Sequence, residues 1–238
     1  MPEQLTTRPA DGRPQGLDKI DSQPRIRAVA LDLDGTMFNT EVVFQASGTE
    51  LLRRRSIEPP PELWERMMGR RAEEAFQAMI DTCGLPESID ELRIESERLF
   101  FTMLDQFLQP MPGLLTLLDR IATRSLPLAV ATSSTRGYVE MLLSRFDLLD
   151  RFAFTLTAED VTHGKPHPEI YLRAARQHGV EPGEMLVLED SEAGTRAAAA
   201  AGAHVISIPH EHSQRHDFSI ARGVASRLDD PLILALLD

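Results

Sequence analysis

The sequence predicts an α/β fold: a parallel sheet with helices packed on it, interrupted once by a long all-helical insert. Three observations carry this expectation. From Arg27 onward, short apolar runs alternate with segments of helical period, the pattern of repeated strand-helix units. Several of these runs end abruptly in acidic or hydroxyl residues, as a buried strand does where it delivers side chains to a site. Between Thr40 and Pro110 the alternation stops, and only helical patterns remain, punctuated by Pro59-Pro-Pro61, Gly69 and Gly84-Leu-Pro86.

The first strand is expected at 28–33, within the run Ala28-Val-Ala-Leu-Asp-Leu-Asp-Gly-Thr36. Strand side chains alternate between faces, so Asp32 and Asp34 point the same way if extended geometry persists through both, and Gly35 permits a tight exit. After the insert, a helix at 113–125 leads into a second strand at 127–132, then a helix at 136–145 and a third strand at 152–156. A helix at 169–178, stopped by Gly179, precedes a fourth strand at 185–189 entered through the Pro182-Gly183 turn. The last pair is a helix at 192–201, stopped by Gly202, and a strand at 204–208. The alanine run 197–201 reads as close packing of a helix on the sheet.

Bulk properties narrow the function. At 238 residues and 42% hydrophobic, the chain can bury one substantial core and a smaller one. A net charge of −12 and a pI near 5.1 argue against a nucleic-acid surface, which needs clustered Lys and Arg. The single cysteine, Cys83, excludes an internal disulfide and fits a reducing compartment as a small apolar filler. No apolar stretch is long enough to span a bilayer, and residues 1–23 lack the apolar centre of a secretory signal, so a cytoplasmic protein with no membrane contact is expected. Residues 1–25 are polar and Pro/Gly-bearing and are expected to be a disordered tail. No obligate protein partner is evident.

Four segments carry the chemistry. The first run is joined by Val130-Ala-Thr-Ser-Ser134, Gly164-Lys-Pro-His-Pro168 and Leu186-Val-Leu-Glu-Asp-Ser-Glu-Ala-Gly194. Each alone has a plain structural role open to it: Asp34-Gly35 as a turn, Ser134 or Thr135 as a helix cap, Lys165 as a solvated loop lysine, Asp190-Ser191 as the cap of the alanine-rich helix. Together and in this order they resemble the signature motifs of the haloacid dehalogenase superfamily, in its phosphatase and phosphomutase branch. The resemblance runs from about Arg27 to Pro209. It implies a Rossmann-like doubly wound parallel sheet core over 26–39 and 110–238, with an inserted all-helical cap domain over 40–109.

Asp32, Asp34, Glu189 and Asp190 set against Lys165 leave three formal negative charges, untenable at close quarters unless a cation joins them. The available ligands are oxygens, which favours magnesium (Mg2+) over zinc. The resemblance implies that Asp32 gives a carboxylate oxygen, Asp34 its backbone carbonyl, and Asp190 with Glu189 the remaining ligands. It further implies Asp32 as nucleophile toward phosphorus, Asp34 as general acid and base, Thr132 with the Ser133 N–H as holders of the phosphoryl oxygens, and Lys165 as charge compensator. The substrate class is then a small phosphorylated metabolite.

Outside the motifs, Arg70 and Arg71 in the insert could contact substrate or lie as surface charges. Trp64, Met67, Met68 and Phe76 are expected to pack the insert rather than line a pocket. His210, His212 and His216 match no zinc spacing and are expected on a solvent-facing loop. Asp34 counts against dehalogenation. Relatives resembling β-phosphoglucomutase place a lysine before the cap glycine and an arginine three positions after it. Met68 and Ala72 stand at those positions, which favours hydrolysis over sugar-phosphate isomerisation. A non-catalytic binding protein on the same fold is the reading from another class, opposed by the intact Asp32, Asp34, Thr132, Lys165 and Asp190.

Overall fold

The computed structural model describes residues 25–67 and 72–238. Its centre is a six-stranded, all-parallel sheet in the order β3-β2-β1-β4-β5-β6. The strands are β1 (Ala28–Leu31), β2 (Leu128–Ala131), β3 (Phe154–Leu156), β4 (Met185–Glu189), β5 (His204–Ser207) and β6 (Gly223–Val224). The chain runs outward from β1 through β2 to β3, then returns to lay β4 on the other side of β1. The strand order therefore reverses between β1 and β4, where open α/β sheets form a ligand crevice at their carboxyl ends.

The helices are α1 (Thr40–Arg53), α2 (Leu63–Met67), α3 (Ala72–Cys83), α4 (Ile89–Phe107), α5 (Leu114–Thr123), α6 (Arg136–Arg145), α7 (Glu169–His178), α8 (Glu192–Ala200) and α9 (Pro231–Leu236). Strand periodicity sorts the core into two layers. Val29 and Leu31 of β1, Leu186 and Leu188 of β4 and Leu128 and Val130 of β2 face one cluster with α5, α6 and α9. Ala28, Ala30, Met185, Val187 and Ala131 face the other, against α7 and α8. Helices thus cover both faces, as in a doubly wound sheet. Ala197, Ala198 and Ala201 belong to the second cluster, so the alanine run is a packing feature.

The segment between β1 and β2 is helical, as its punctuation indicates. It carries a cluster of its own, built from Leu51 and Leu52 of α1, Leu63 of α2, Met79 of α3, Leu85, and Leu92 and Leu99 of α4. Ser88 starts α4 with a reciprocal cap: its hydroxyl accepts from the Glu91 N–H, and the Glu91 carboxylate accepts from the Ser88 N–H.

Two expectations need correction. The first strand stops at Leu31 rather than continuing to residue 33, because the chain turns there: the Gly35 N–H donates to the Phe38 carbonyl and the Met37 N–H to that of Leu33. The sheet also gains β6, and α9 follows it. Both lie in 209–238, where short elements are held by tertiary contact; Ile233 and Leu237 reach the first core layer.

One glycine separates packing from helix propensity. Gly194, in the first turn of α8, lies against Glu189 so closely that an added Cβ would fall 1.8 Å from Oε1 and 2.1 Å from Oε2 of that carboxylate. An Ala in a helix is normally about 0.5–1 kcal/mol better than Gly. Here the overlap dominates, and Gly194→Ala should lower stability by about 1–3 kcal/mol, the scale of overpacking. Urea unfolding checks the sign; a raised midpoint would refute the packing argument.

Candidate active site

All four motifs converge on the carboxyl ends of β2, β1 and β4. Each strand's hydrogen-bond ladder extends just far enough to hold a polar residue at its rim. The Asp32 N–H donates to the Leu188 carbonyl at 3.1 Å, and the Thr132 N–H donates to the Leu156 carbonyl at 3.0 Å. Glu189 ends β4, fully buried, with Asp190 next to it and 5% exposed.

Lys165 links these strand ends. Its Nζ donates to Asp32 Oδ1 at 2.5 Å, to Glu189 Oε1 at 2.6 Å and to the Ala131 carbonyl at 2.9 Å. Burial opposes charge on this ammonium, but Asp32 and Glu189 more than offset it and hold its pKa well above the usual lysine range. Lys165 is therefore not a solvated loop lysine. Glu189 also accepts from the Tyr171 hydroxyl at 2.5 Å and from Ser191 Oγ at 3.0 Å. Ser191 caps α8 as well, accepting from the Gly194 N–H at 3.0 Å, as its position suggested.

Asp32 and Asp34 have different surroundings. Burial pushes the Asp32 carboxyl well above the ordinary range; Lys165 works against that push, while Glu189, Asp190 and Asp34 add to it. Asp34 is also raised by burial, but its carboxylate accepts from Ser134 Oγ at 2.5 Å and from the Tyr138 hydroxyl at 3.0 Å, and both lower it. Ser134 does not cap α6. Its N–H donates to Thr132 Oγ1 at 3.1 Å, which fixes the turn after β2.

Asp190 accepts from Thr36 Oγ1 at 2.9 Å and lies 3.0 Å from His210 Nε2. The same imidazole is 3.7 Å from Glu41 Oε1 on α1. Burial lifts the Glu41 carboxyl to about 7, helped by Asp190 and opposed by His210. Gly35, with φ +76°, makes this convergence feasible: an added Cβ would lie 2.5 Å from Asp190 Oδ2, 2.6 Å from Glu41 Oε1 and 2.7 Å from His210 Nε2.

The acids suit a hard divalent cation. Carboxylate oxygens of Asp32, Glu189 and Asp190 come within 4.8 Å of one another, and burial together with mutual repulsion raises Asp32. The donors are oxygens, matching magnesium rather than a soft metal. Glu189 already accepts from Lys165, Tyr171 and Ser191, yet carboxylate oxygens carry enough lone pairs to accept these and still face a cation.

Beside the acids opens a cavity of about 1070 Å³, between the helical insert and the turn after β2. Ser133, exposed, is on its wall with Ser134 and Tyr138. Trp64, Met67 and Phe76 pack on the insert's cluster, as expected, but they also line this cavity, which corrects half of that expectation. Met68, Arg70 and Arg71 lie outside the described residues.

The histidine loop needs correction too. His210 is not solvent-facing: its side chain is 13% exposed and reaches Asp190, while His212 lines the cavity. His210 follows the carboxyl end of β5, the edge where every motif ends, and that was the available signal. Glu41, Ser134, Tyr138 and Tyr171 were also missed. Ser134 lies in the turn before α6 and Tyr138 in its first turn, and nothing in sequence says that both meet Asp34.

Comparison with known proteins agrees with this geometry. A family model described as haloacid dehalogenase-like hydrolase matches residues 29–208. The validoxylamine A 7'-phosphate phosphatase of Streptomyces hygroscopicus subsp. limoneus is 31% identical over 186 residues, covering 78% of this chain and 87% of that one. A bifunctional riboflavin kinase/FMN phosphatase of Arabidopsis thaliana is 30% identical over 208 residues, covering 85% of this chain and 53% of that one, so the chain spans about half of that relative's length. Among solved structures, a mutant of CbbY from Rhodobacter sphaeroides in complex with xylulose-(1,5)bisphosphate is 25% identical, with a TM-score of 0.73, covering 90% of this chain and 99% of that one. With these motifs folded onto one crevice and the family model spanning most of the chain, the protein belongs to the haloacid dehalogenase-like hydrolases, in their phosphatase and phosphomutase branch.

Proposed function

We propose that the protein is a magnesium-dependent phosphatase that hydrolyses a small phosphate monoester through an aspartyl-phosphate. The observation that carries this reading is the unlike environment of two acids two residues apart. Asp32 is paired with a buried ammonium, while Asp34 is held by two hydroxyls. Paired carboxylates placed in different surroundings can take different roles, one as nucleophile and one as proton carrier.

In this reading Asp32 attacks phosphorus with a carboxylate oxygen. The bond from phosphorus to the ester oxygen breaks, and Asp34 gives its proton to the departing alkoxide. A water then attacks the phosphorus of the aspartyl-phosphate, Asp34 accepts a proton from that water, and Asp32 leaves as carboxylate with release of inorganic phosphate. Thr132 and the Ser133 N–H hold phosphoryl oxygens, and Lys165 opposes the negative charge on Asp32 and on the transferring group. Asp32, the Asp34 carbonyl, Asp190 and Glu189 would hold the magnesium. Bound there, it supplies Lewis-acid neutralisation of charge developing on the phosphoryl oxygens.

His210 and Thr36 position Asp190 from behind, the outer-layer orientation that metal-binding carboxylates need. Residues 40–109 act as the cap over the site, in which Arg70 and Arg71 are candidate substrate contacts. The substrate is a small phosphorylated metabolite, with no role for nucleic acid or a membrane. No helix among the described residues is long and apolar enough to cross a membrane, and the single free cysteine fits a cytoplasmic location.

Two outcomes test the reading. Asp32→Asn is nearly isosteric and removes the nucleophile, so release of phosphate from p-nitrophenyl phosphate should fall on the order of a thousandfold or more, with an unchanged circular dichroism spectrum. Near-wild-type turnover in that variant would eliminate the aspartyl-phosphate route. Chelation by EDTA should silence the wild type and added magnesium should restore it. Asp190→Ala should then need about tenfold more magnesium, or greater, for half-activation; indifference of the wild type to EDTA would remove the metal from the mechanism.

A further inference from the structure

We infer that the alcohol half of the substrate is a bulky, largely apolar body, aromatic for preference, rather than a small polyhydroxylated one; this rests on the phosphatase reading above. The cavity of about 1070 Å³ is at the upper end of ligand pockets, which run from about 300 to 1,000 Å³. A glycerol or hexose unit would leave most of it empty.

The walls are the stronger argument. Phe44, Trp64, Phe76, Phe100, Phe101 and Met141 line the space, and although Glu41, Gln45, Arg93, Ser96, Glu97 and His212 also border it, most of the exposed wall is apolar. Three of the rings form a continuous series with Tyr138: Phe44 and Phe100 have centroids 4.4 Å apart, Phe100 and Phe101 5.9 Å, and Phe100 and Tyr138 5.9 Å. Tyr138 donates to Asp34, so this aromatic wall begins at the proposed proton carrier itself. Phe44 and Phe101 are 51% and 45% exposed, which leaves large apolar area in water that an apolar leaving group would cover.

The cavity has depth as well. On α1 it is lined from Glu41, beside Asp190, to Gly48, against which the Trp64 ring is laid. Seven residues at about 1.5 Å per residue give roughly 10 Å. A sugar laid along the Phe44, Phe100 and Phe101 side would put hydroxyls against phenyl faces, and each hydroxyl stripped of water without a partner costs affinity. A flat hydrocarbon body has no such requirement.

The experiment compares kcat/KM of the full chain, with saturating magnesium, for 2-(2-naphthyl)ethyl phosphate, glycerol 3-phosphate and glucose 6-phosphate. All three release primary alcohols, so leaving-group chemistry is matched and the difference reports the cavity. The naphthylethyl ester should lead by about tenfold or more, the scale set by apolar groups in a fitted pocket. Phe44→Ala should narrow that lead by about tenfold, mainly through KM, and Phe44→Leu should recover most of it. Phe44 is half exposed on α1, so its truncation leaves the core intact. Equal or better turnover of glycerol 3-phosphate or glucose 6-phosphate overturns the inference and leaves the phosphatase reading standing. Failure to hydrolyse any of the three, with p-nitrophenyl phosphate also inert, removes that reading and the inference with it.

Discussion

The three hydrogen bonds of the Lys165 ammonium are the interaction on which the site depends. An ammonium has three donors, and here they go to the Asp32 carboxylate, the Glu189 carboxylate and the Ala131 carbonyl. These acceptors sit at the ends of β1, β4 and β2, so one side chain ties together the carboxyl edge of three neighbouring strands. Buried ion pairs are favourable only when geometry and the remaining lone pairs are satisfied. The Tyr171 hydroxyl and Ser191 meet that condition at Glu189, and in doing so fix α7 and α8 beneath the site. The same pair of carboxylates that would be repelled from a dry interior is thereby held there, with its negative charge at the carboxyl edge of the sheet.

The chemistry and the cavity share walls rather than merely adjoining. Tyr138 donates to Asp34 and faces the apolar space, and Glu41 lies near His210 and also lines that space. Any group that fills the cavity therefore touches residues that set the surroundings of Asp34 and Asp190. Binding contacts made at a distance from the reacting atom can then be realised as positioning of that atom.

The strand-ending motifs were legible because several independent patterns agreed at each one: an apolar run, a change to polar residues at its end, and a helical period after it. Asp32, Asp34, Thr132, Glu189 and Asp190 all follow from such positions, whereas Lys165, in the loop before α7, follows only from its motif; the topology brings them together. His210, Glu41 and Tyr138 were not legible, because each reaches the site from an element whose rotation about its own axis is set by tertiary packing. Gly35 shows the limit well. Its role as a turn residue is readable from Asp-Gly, but the three side chains that crowd above it come from 6, 155 and 175 residues further along the chain. β6 is two residues long, held by its pairing with β5, and so short a strand has no periodicity to read.

The insert is anchored unevenly, and that bears on what its walls can do. Val43 of α1 and Phe100 and Leu104 of α4 belong to the main core, while Leu51 and Leu52 of α1 and Leu92 and Leu99 of α4 belong to the insert's own cluster. These two helices run unbroken from one cluster into the other, and a close-packed interior resists sliding them. Leu63 of α2 and Met79 of α3 touch the insert's cluster alone. The wall made by Phe44 and Phe100 is thus fixed relative to the sheet that carries Asp32 and Asp190, whereas the facing wall of Trp64 and Phe76 is fixed only relative to α1 and α4. Selectivity for the shape of a leaving group needs a rigid reference surface, and under the proposed reading the α1 and α4 wall would supply it.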